Sequence, residues 1–135
     1  MIYWDTSALI FFLAAGRFAE ITGVTRAHAL TEFYSTTTGK GFKVEAKTVR
    51  LKPQLAADLI HLLATRLSFV NLDAAETAAA IAQGAEKNIL GGRTHDLLHA
   101  TAARKAGATE IWTCNDSDFA GLSEIPLKNP ARPET

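Results

Sequence analysis

Cysteine is nearly absent from this sequence: Cys114 is the single one in 135 residues. An intramolecular disulfide framework is therefore excluded, and with it the small secreted proteins that depend on one. One unpaired thiol suits a reducing compartment. Nothing in the flanking sequence marks an activated thiolate, so we interpret Cys114 as a packed strand residue.

Long apolar runs and an excess of one charge are also missing. No run approaches the ~20 residues needed to cross a bilayer, and we expect no signal peptide ahead of the first predicted strand, which begins at Met1. We therefore expect a cytoplasmic protein with no membrane partner. Fourteen Lys and Arg residues balance fourteen Asp and Glu residues. Net charge thus neither indicates nor excludes a nucleic-acid partner, because local patches matter more than totals.

Short apolar runs alternate with helical segments along the chain. A chain of 135 residues that is 47% hydrophobic can bury a sizeable core, and we expect one domain over residues 1–135. Strands are predicted at 1–4, 68–72 and 111–114. The tail, residues 126–135, is predicted to fray after one edge strand at 125–127. Helices are predicted at 6–13, 25–38, 53–67, 74–87 and 94–106. This alternation predicts an α/β fold in which helices cover both faces of a mainly parallel sheet.

Four carboxylates fall where such a fold brings distant segments together. Asp5 and Asp116 each follow an apolar strand, and ligands of open α/β sheets bind outside the carboxyl ends of the strands. Asp96 lies in the first turn of a predicted helix, and Glu32 shares a helix face with His28, four residues earlier. Like charges persist in one cleft only when a cation or a shared proton offsets their repulsion. The pattern therefore predicts a divalent metal.

The segments around these acids resemble PIN-domain ribonucleases, specifically the VapC-type toxins of bacterial and archaeal toxin–antitoxin pairs. The resemblance spans nearly the whole chain and is supported by residues 2–9, 28–34, 95–102 and 111–119; the third segment, an acid followed by an alanine-rich helix, is the most diagnostic. It implies a PIN-like three-layer α/β/α sandwich, a metal-dependent endoribonuclease that leaves 5′-phosphate and 3′-hydroxyl ends, and a homodimer. It also implies an antitoxin that blocks the RNA-binding groove, commonly by placing Arg or Lys among the carboxylates.

The resemblance carries over to individual acids. Asp5, Glu32 and Asp96 match the acidic positions of the family directly. The final polar position is open, because the spacing of the last segment allows Asn115, Asp116 or Asp118 to occupy it. We favour Asp116, with Asp118 as the next choice.

The oxygen ligands themselves suit Mg²⁺ or Mn²⁺ rather than zinc. Phosphodiester hydrolysis needs an activated water, a stabilised phosphorus centre and a screened leaving oxygen, all of which a bound metal supplies. In this hypothesis Asp5 and Asp96 are the main ligands, and Asp116 or Asp118 supports a ligand or a second metal. Glu32 orients or deprotonates the attacking water.

Several side chains are candidates for contact with the RNA substrate. Lys43 and Lys47 lie in a basic stretch, residues 40–52, whose one acid is Glu45; it either contacts the RNA backbone or is an ordinary solvated loop. The other candidates are Arg93 at a helix entrance, Asn115, and Thr6 and Ser7, which bind Asp5 or substrate or simply cap a helix.

Three other interpretations stay open. His95 and His99 flank Asp96 in a pattern that resembles zinc hydrolases, although Asp replaces the usual Glu and no third ligand follows. Asp5 could act as a nucleophile in phosphoacceptor chemistry, but no second Asp lies two residues later. Finally, the acidic pocket could receive a basic partner in a binding module without catalysis.

Overall fold

The computed structural model describes residues 1–132, so the last three residues of the predicted tail lie outside the described part. In chain order the elements are β1 (Ile2–Trp4), α1 (Thr6–Ala14), a 3₁₀ turn (Phe18–Glu20), β2 (Gly23–Thr25), α2 (His28–Thr38), β3 (Phe42–Val44), β4 (Lys47–Val49), α3 (Pro53–Arg66), β5 (Leu67–Phe69), α4 (Ala74–Glu86), α5 (Arg93–Ala106), β6 (Glu110–Trp112), α6 (Asp116–Phe119) and β7 (Leu127–Lys128). No helix within residues 1–132 is long and apolar enough to span a bilayer.

The central sheet has five strands in the order β5-β2-β1-β6-β7. Every neighbouring pair in it is parallel, which confirms the predicted mainly parallel sheet. Strand β1 lies in the middle, with β2 on one side and β6 on the other. The carboxyl end of β1 therefore meets the ends of two strands that are distant in sequence.

Strand β2 replaces what the sequence predicts as a helix start. Thr25 does not cap α2 but ends β2, and its hydroxyl donates to the Trp4 carbonyl at 2.7 Å. Gly23 begins the strand at φ 132°, and a Cβ there would collide with the Ile2 carbonyl oxygen. The position therefore requires glycine. A strand of three residues is too short to show a period-2 pattern, so periodicity alone does not reveal it.

Strand β6 is shorter than predicted, because it ends at Trp112. Cys114 therefore lies beyond the strand rather than in it, and its amide donates to the Ser7 hydroxyl oxygen at 2.9 Å. Burial raises the pKa of the Cys114 thiol to about 11. The thiol is accordingly protonated at neutral pH, in agreement with the predicted absence of an activated thiolate.

Helices cover both faces of the sheet, as predicted. Trp4 points to one face, where it packs in a cluster that includes Leu9, Phe12, Phe33 and Leu63 from α1, α2 and α3. Tyr3 points to the other face and packs against α5 and α6 through Ala100, Ala103 and Phe119. Adjacent residues of β1 thus serve opposite cores, as the alternation of a strand requires.

Local capping chemistry sets most helix ends. Asp73 and Glu76 form a capping box at the start of α4, and Gly107 ends α5 in the left-handed conformation. Helix α5 begins at Arg93, one residue before the predicted start at 94, and Gly92 precedes it. Asp96 still lies in the first turn.

The basic stretch folds into an antiparallel hairpin of β3 and β4, apart from the central sheet. Its two-residue turn is Glu45–Ala46, with φ of 50° and 68°. Hairpin turns of this kind need positive φ at both positions and usually use Asn and Gly. Because the Glu-Ala pair is unusual in such a turn, the sequence pattern indicates a loop here rather than a hairpin.

Candidate functional site

Asp5 is a buried carboxylate at the carboxyl end of β1, where it also caps α1. Its Oδ1 accepts hydrogen bonds from the Ser7 hydroxyl at 2.6 Å and the Ala8 amide at 3.1 Å. Its Oδ2 accepts from the Thr113 hydroxyl at 2.7 Å, just beyond the end of β6. Donors from two elements therefore hold this carboxylate in one orientation.

Glu32 projects from α2 towards the same edge. Its Oε1 accepts hydrogen bonds from the Thr6 hydroxyl at 3.0 Å and from His99 Nε2 at 3.1 Å. Burial alone would raise the pKa of Glu32, but the hydrogen bond and charge of His99, helped by the Thr6 hydroxyl, lower it to about 2. Glu32 is consequently ionised at any physiological pH.

Asp96, in the first turn of α5, has the opposite electrostatic environment. Burial and the charges of Asp5 and Asp118 raise the pKa of Asp96 to about 6. Glu32 adds to the increase, and the charge of His99 opposes it. Acids from β1, α2, α5 and α6 therefore act on one another at this edge.

The two candidates for the last acidic position differ in their surroundings. Asp116 accepts hydrogen bonds from Arg132 at 2.9 Å and from the Asn129 amide at 3.3 Å. Asp118 is exposed on α6, and it is this residue whose charge contributes to the raised pKa of Asp96. By charge, Asp118 is the closer associate of Asp96, whereas Asp116 is paired with an arginine.

A metal site is not preassembled within residues 1–132. No group of three or more His, Cys, Asp or Glu side chains there is spaced to hold an ion. The donors are nevertheless of the right chemistry, since Mg²⁺ is usually held by one or two carboxylates together with water and substrate phosphate. The raised pKa of Asp96 also marks an excess of negative charge that a cation would relieve.

The predicted substrate-binding residues lie in different parts of the fold. Lys43 and Lys47 are exposed on the hairpin, where Lys43 Nζ donates to Thr48 Oγ1 at 2.7 Å. Arg93 donates to the carbonyl oxygens of Asp118 and Ala120, both at 3.2 Å, and so ties α5 to α6.

The remaining candidates lie beside Asp5. Thr6 and Ser7 each donate to a neighbouring acid, Glu32 and Asp5 respectively. Asn115 is exposed at the start of α6, and its amide donates to Thr113 Oγ1 at 2.9 Å. Structurally, Thr6 and Ser7 therefore orient the acids, and their hydroxyls are already engaged.

Two residues of this network, Tyr3 and Thr113, are not among the sequence-predicted site residues, and the sequence indicates His99 only in the zinc interpretation. His99 is buried, and both of its ring nitrogens are hydrogen-bonded, to Tyr3 and to Glu32. Thr113 carries one usable signal, because it lies near the end of the strand predicted at 111–114, two residues before Asn115. Tyr3 carries none beyond its place in a predicted core strand.

The zinc interpretation of His95, Asp96 and His99 loses support from these contacts. His99 would have to give up a hydrogen bond to ligate a metal. His95 is exposed, and its ring stacks on that of His28 with centroids 6.1 Å apart and planes at 11°.

One surface groove is separate from the predicted acids. It is open, has a volume of about 630 Å³ and is lined by Lys87, Arg104 and residues 121–125. None of the predicted acids is among its lining residues. Charge and hydrogen bonding distinguish the candidate site.

The fold is shared with a known structure. The chain is similar to one in the structure of VapBC-1 from nontypeable Haemophilus influenzae, with a TM-score of 0.64 and 17% sequence identity over 96% of this chain and 98% of that one. The predicted PIN-like α/β fold class is thereby confirmed. No protein-family model matches the sequence, and no curated protein matches it either.

Proposed function

We propose that this protein is a metal-dependent endoribonuclease, the VapC-type toxin of a toxin–antitoxin pair. The observation that carries the proposal is the convergence of three acids, from the end of β1, from α2 and from α6, on Asp96, whose pKa they raise. The fold shared with a chain of VapBC-1 and the sequence resemblance to VapC-type toxins support the same conclusion.

In this proposal Asp5 and Asp96 hold Mg²⁺ or Mn²⁺, and Asp118 is preferred to Asp116 as the third acid. The bound cation would supply a positive charge that lowers the pKa of a water and screens the leaving oxygen. Glu32, ionised because of its hydrogen-bond donors, accepts a hydrogen bond from the attacking water and orients it. The donors to Asp5 keep its carboxylate turned to this edge.

RNA is the proposed substrate, and its backbone is proposed to follow the β3–β4 hairpin. Lys40, Lys43, Lys47, Arg50 and Lys52 carry positive charge along this stretch, and Lys43 and Lys47 are exposed on its strands, which supports phosphate contact. Reversing the charge of Lys43 and Lys47 should weaken RNA binding and reduce the slope of log affinity against log salt by about 1 for each lysine that binds a phosphate. An unchanged slope would remove the hairpin from the proposal.

The proposed partners are an antitoxin and a second copy of the chain, in the cytoplasm. Three large apolar side chains are exposed on two neighbouring helices: Tyr34 on α2, and Leu55 and Leu62 on α3. Their exposure supports a protein contact at these helices. The cation of an antitoxin Arg or Lys would satisfy the acids around Asp96 as a metal would.

The deciding experiment is cleavage of a mixed cellular RNA pool by the wild type and the Asp96→Asn variant, each with Mg²⁺, Mn²⁺ or EDTA. Asp58→Asn is the matched control. Asp58 is an exposed acid on α3 whose side chain accepts a hydrogen bond from Gln54. It is distant in sequence from each of the predicted site acids. We expect metal-dependent cleavage by the wild type and the control, and its loss in Asp96→Asn. Cleavage that survives EDTA or the Asp96 substitution would contradict the proposal, and no cleavage by any folded protein would favour a binding module.

A further inference from the structure

A buried chain of hydrogen bonds begins at Tyr3 on β1 and ends on Glu32. The Tyr3 hydroxyl lies 2.7 Å from His99 Nδ1, and His99 Nε2 lies 3.1 Å from Glu32 Oε1. Tyr3 is 0% and His99 3% exposed, while the Glu32 side chain is 31% exposed. The chain thus leads from the core to the solvent-facing edge.

The direction of each hydrogen bond in this chain follows from its members. An ionised carboxylate only accepts, so the hydrogen must lie on His99 Nε2. In the neutral imidazole Nδ1 is then an acceptor and the Tyr3 hydroxyl donates to it, whereas in the protonated ring, whose charge lowers the pKa of Glu32, Nδ1 donates to the Tyr3 oxygen. Burial raises the pKa of the Tyr3 phenol far above its ordinary value, so that this donor keeps its proton.

The two oxygens of Glu32 are consequently not equivalent. Oε1 accepts from both His99 and Thr6. Among the described residues, no hydrogen bond to Oε2 accompanies these two. One oxygen is fixed to the protein, and the other is available to a water at the acidic edge.

We propose that Tyr3 and His99 are positioning residues: Tyr3 reinforces the Nε2–H tautomer that Glu32 favours in the neutral His99 ring, and His99 with Thr6 holds Glu32 so that Oε2 faces the reacting water. This inference rests on the proposed ribonuclease function for its catalytic consequence. The tautomer and the orientation are properties of the chain that are measurable without substrate. A simple packing role for His99 would require neither a set tautomer nor a hydrogen-bond donor.

The first test reads the tautomer directly. In ¹⁵N-labelled wild-type protein we expect the His99 ring nitrogens to show the Nε2–H form. In Tyr3→Phe, which keeps the ring but removes the donor, we expect that preference to weaken. A protein with His99 in the Nδ1–H form, or a tautomer unaffected by Tyr3→Phe, would overturn the proposal.

The second test separates positioning from packing by kinetics on an RNA that the wild type cleaves. His99→Leu should lower kcat by about 10–100-fold, as is usual when a supporting hydrogen bond is lost, with KM within about twofold. His99→Gln can donate to Glu32 and accept from Tyr3, so it should recover most of kcat. His61→Leu, at an exposed histidine on α3, is the control and should change neither parameter.

The outcomes of the two tests are distinguishable. Equal losses in His99→Leu and His99→Gln, or a loss confined to KM, would show that His99 acts by packing alone. If the wild type cleaves no RNA, the proposed function fails, and the tautomer measurement still decides whether the chain holds Glu32 as described.

Discussion

Glu32 and Asp96 are neighbouring acids whose pKa values are shifted in opposite directions. Both are partly buried at the same sheet edge, yet the pKa of Glu32 is lowered to about 2 and that of Asp96 is raised to about 6. Burial acts in the same direction on both. The difference comes from their neighbours, since Glu32 faces donors on Thr6 and His99, whereas Asp96 faces other carboxylates.

This contrast indicates a division of roles within one acidic edge. A carboxylate that is ionised and held by donors is suited to orient a water through a hydrogen bond. A carboxylate whose charge is opposed by its neighbours gains most from a cation. The protein's own hydrogen bonds therefore separate the acid proposed to orient the water from the proposed metal ligand.

The largest effect should come from removing the charge of Glu32. Glu32→Gln removes the carboxylate that orients the attacking water, and we expect cleavage to fall by about 100-fold or more. Removing its charge should also lower the pKa of Asp96 towards the ordinary value. Single-turnover cleavage measures the first effect and carboxyl ¹³C titration the second, with the exposed Glu86→Gln on α4 as control. An unchanged pKa of Asp96 would show that the charge of Glu32 does not act on Asp96.

A smaller effect should show which acid of α6 belongs to the Asp96 side. Asp118→Asn removes a charge that acts on Asp96, so we expect the pKa of Asp96 to fall and metal-dependent cleavage to drop by about 10-fold. Asp116→Asn should chiefly disturb the contacts with Asn129 and Arg132. The same titration and cleavage assays apply to both variants. A larger loss of cleavage in Asp116→Asn than in Asp118→Asn would show that Asp116, and not Asp118, belongs to the site.

The third prediction concerns stability without metal. The pKa of Asp96 rises from 3.8 in its ordinary state to about 6 in the folded protein. The unfolded chain therefore loses its proton first, and folding stability falls as pH rises from about 4 to about 6. The asparagine of Asp96→Asn does not titrate. The unfolding free energy of this variant should therefore rise by about 1 kcal/mol relative to that of the wild type between pH 4 and pH 7, after allowance for solvent screening.

Urea unfolding at the two pH values checks this prediction, and added Mg²⁺ sharpens it. The cation should stabilise the wild type at pH 7 and leave Asp96→Asn nearly unchanged. A difference between the proteins that is independent of pH would show that Asp96 is not the titrating group.

The smallest effect should come from one donor on the Glu32 side. Thr6→Val keeps the shape of the side chain and removes its hydrogen bond to Oε1. We expect a loss of about 1 kcal/mol in unfolding free energy and a higher pKa of Glu32, while the pKa of Asp96 stays the same. Carboxyl titration of both acids would reveal whether the two shifts are separable.

Sequence alone predicts those parts of the fold that short-range chemistry determines. The caps at Asp5 and Asp73 and the stop at Gly107 depend on neighbouring residues, so they are visible in the pattern. Strand β2 is missed because its three residues include a single large apolar side chain, Val24, and the β3–β4 hairpin is missed because its turn uses Glu45 and Ala46. Such segments are defined by their pairing partners rather than by their own pattern.

In the candidate site, too, the sequence predicts single residues but not the contacts between distant segments. The strand-end rule indicates Asp5, and the resemblance indicates Glu32 and Asp96. The Tyr3–His99 contact joins residues 96 positions apart across a sheet and a helix, and no spacing in the sequence predicts it. The orientation of α6, on which Asp118 lies, depends on the guanidinium of Arg93 binding two carbonyls.

The central position of β1 has a consequence for how the protein is made. Residues 2–4 are synthesised long before residues 110–112, which form one of their two partner strands, and Asp5 accepts a hydrogen bond from Thr113. Contacts of such long separation form slowly and late. A nascent chain on the ribosome therefore holds this strand half-paired, and the acidic edge is assembled only after most of the polypeptide has emerged.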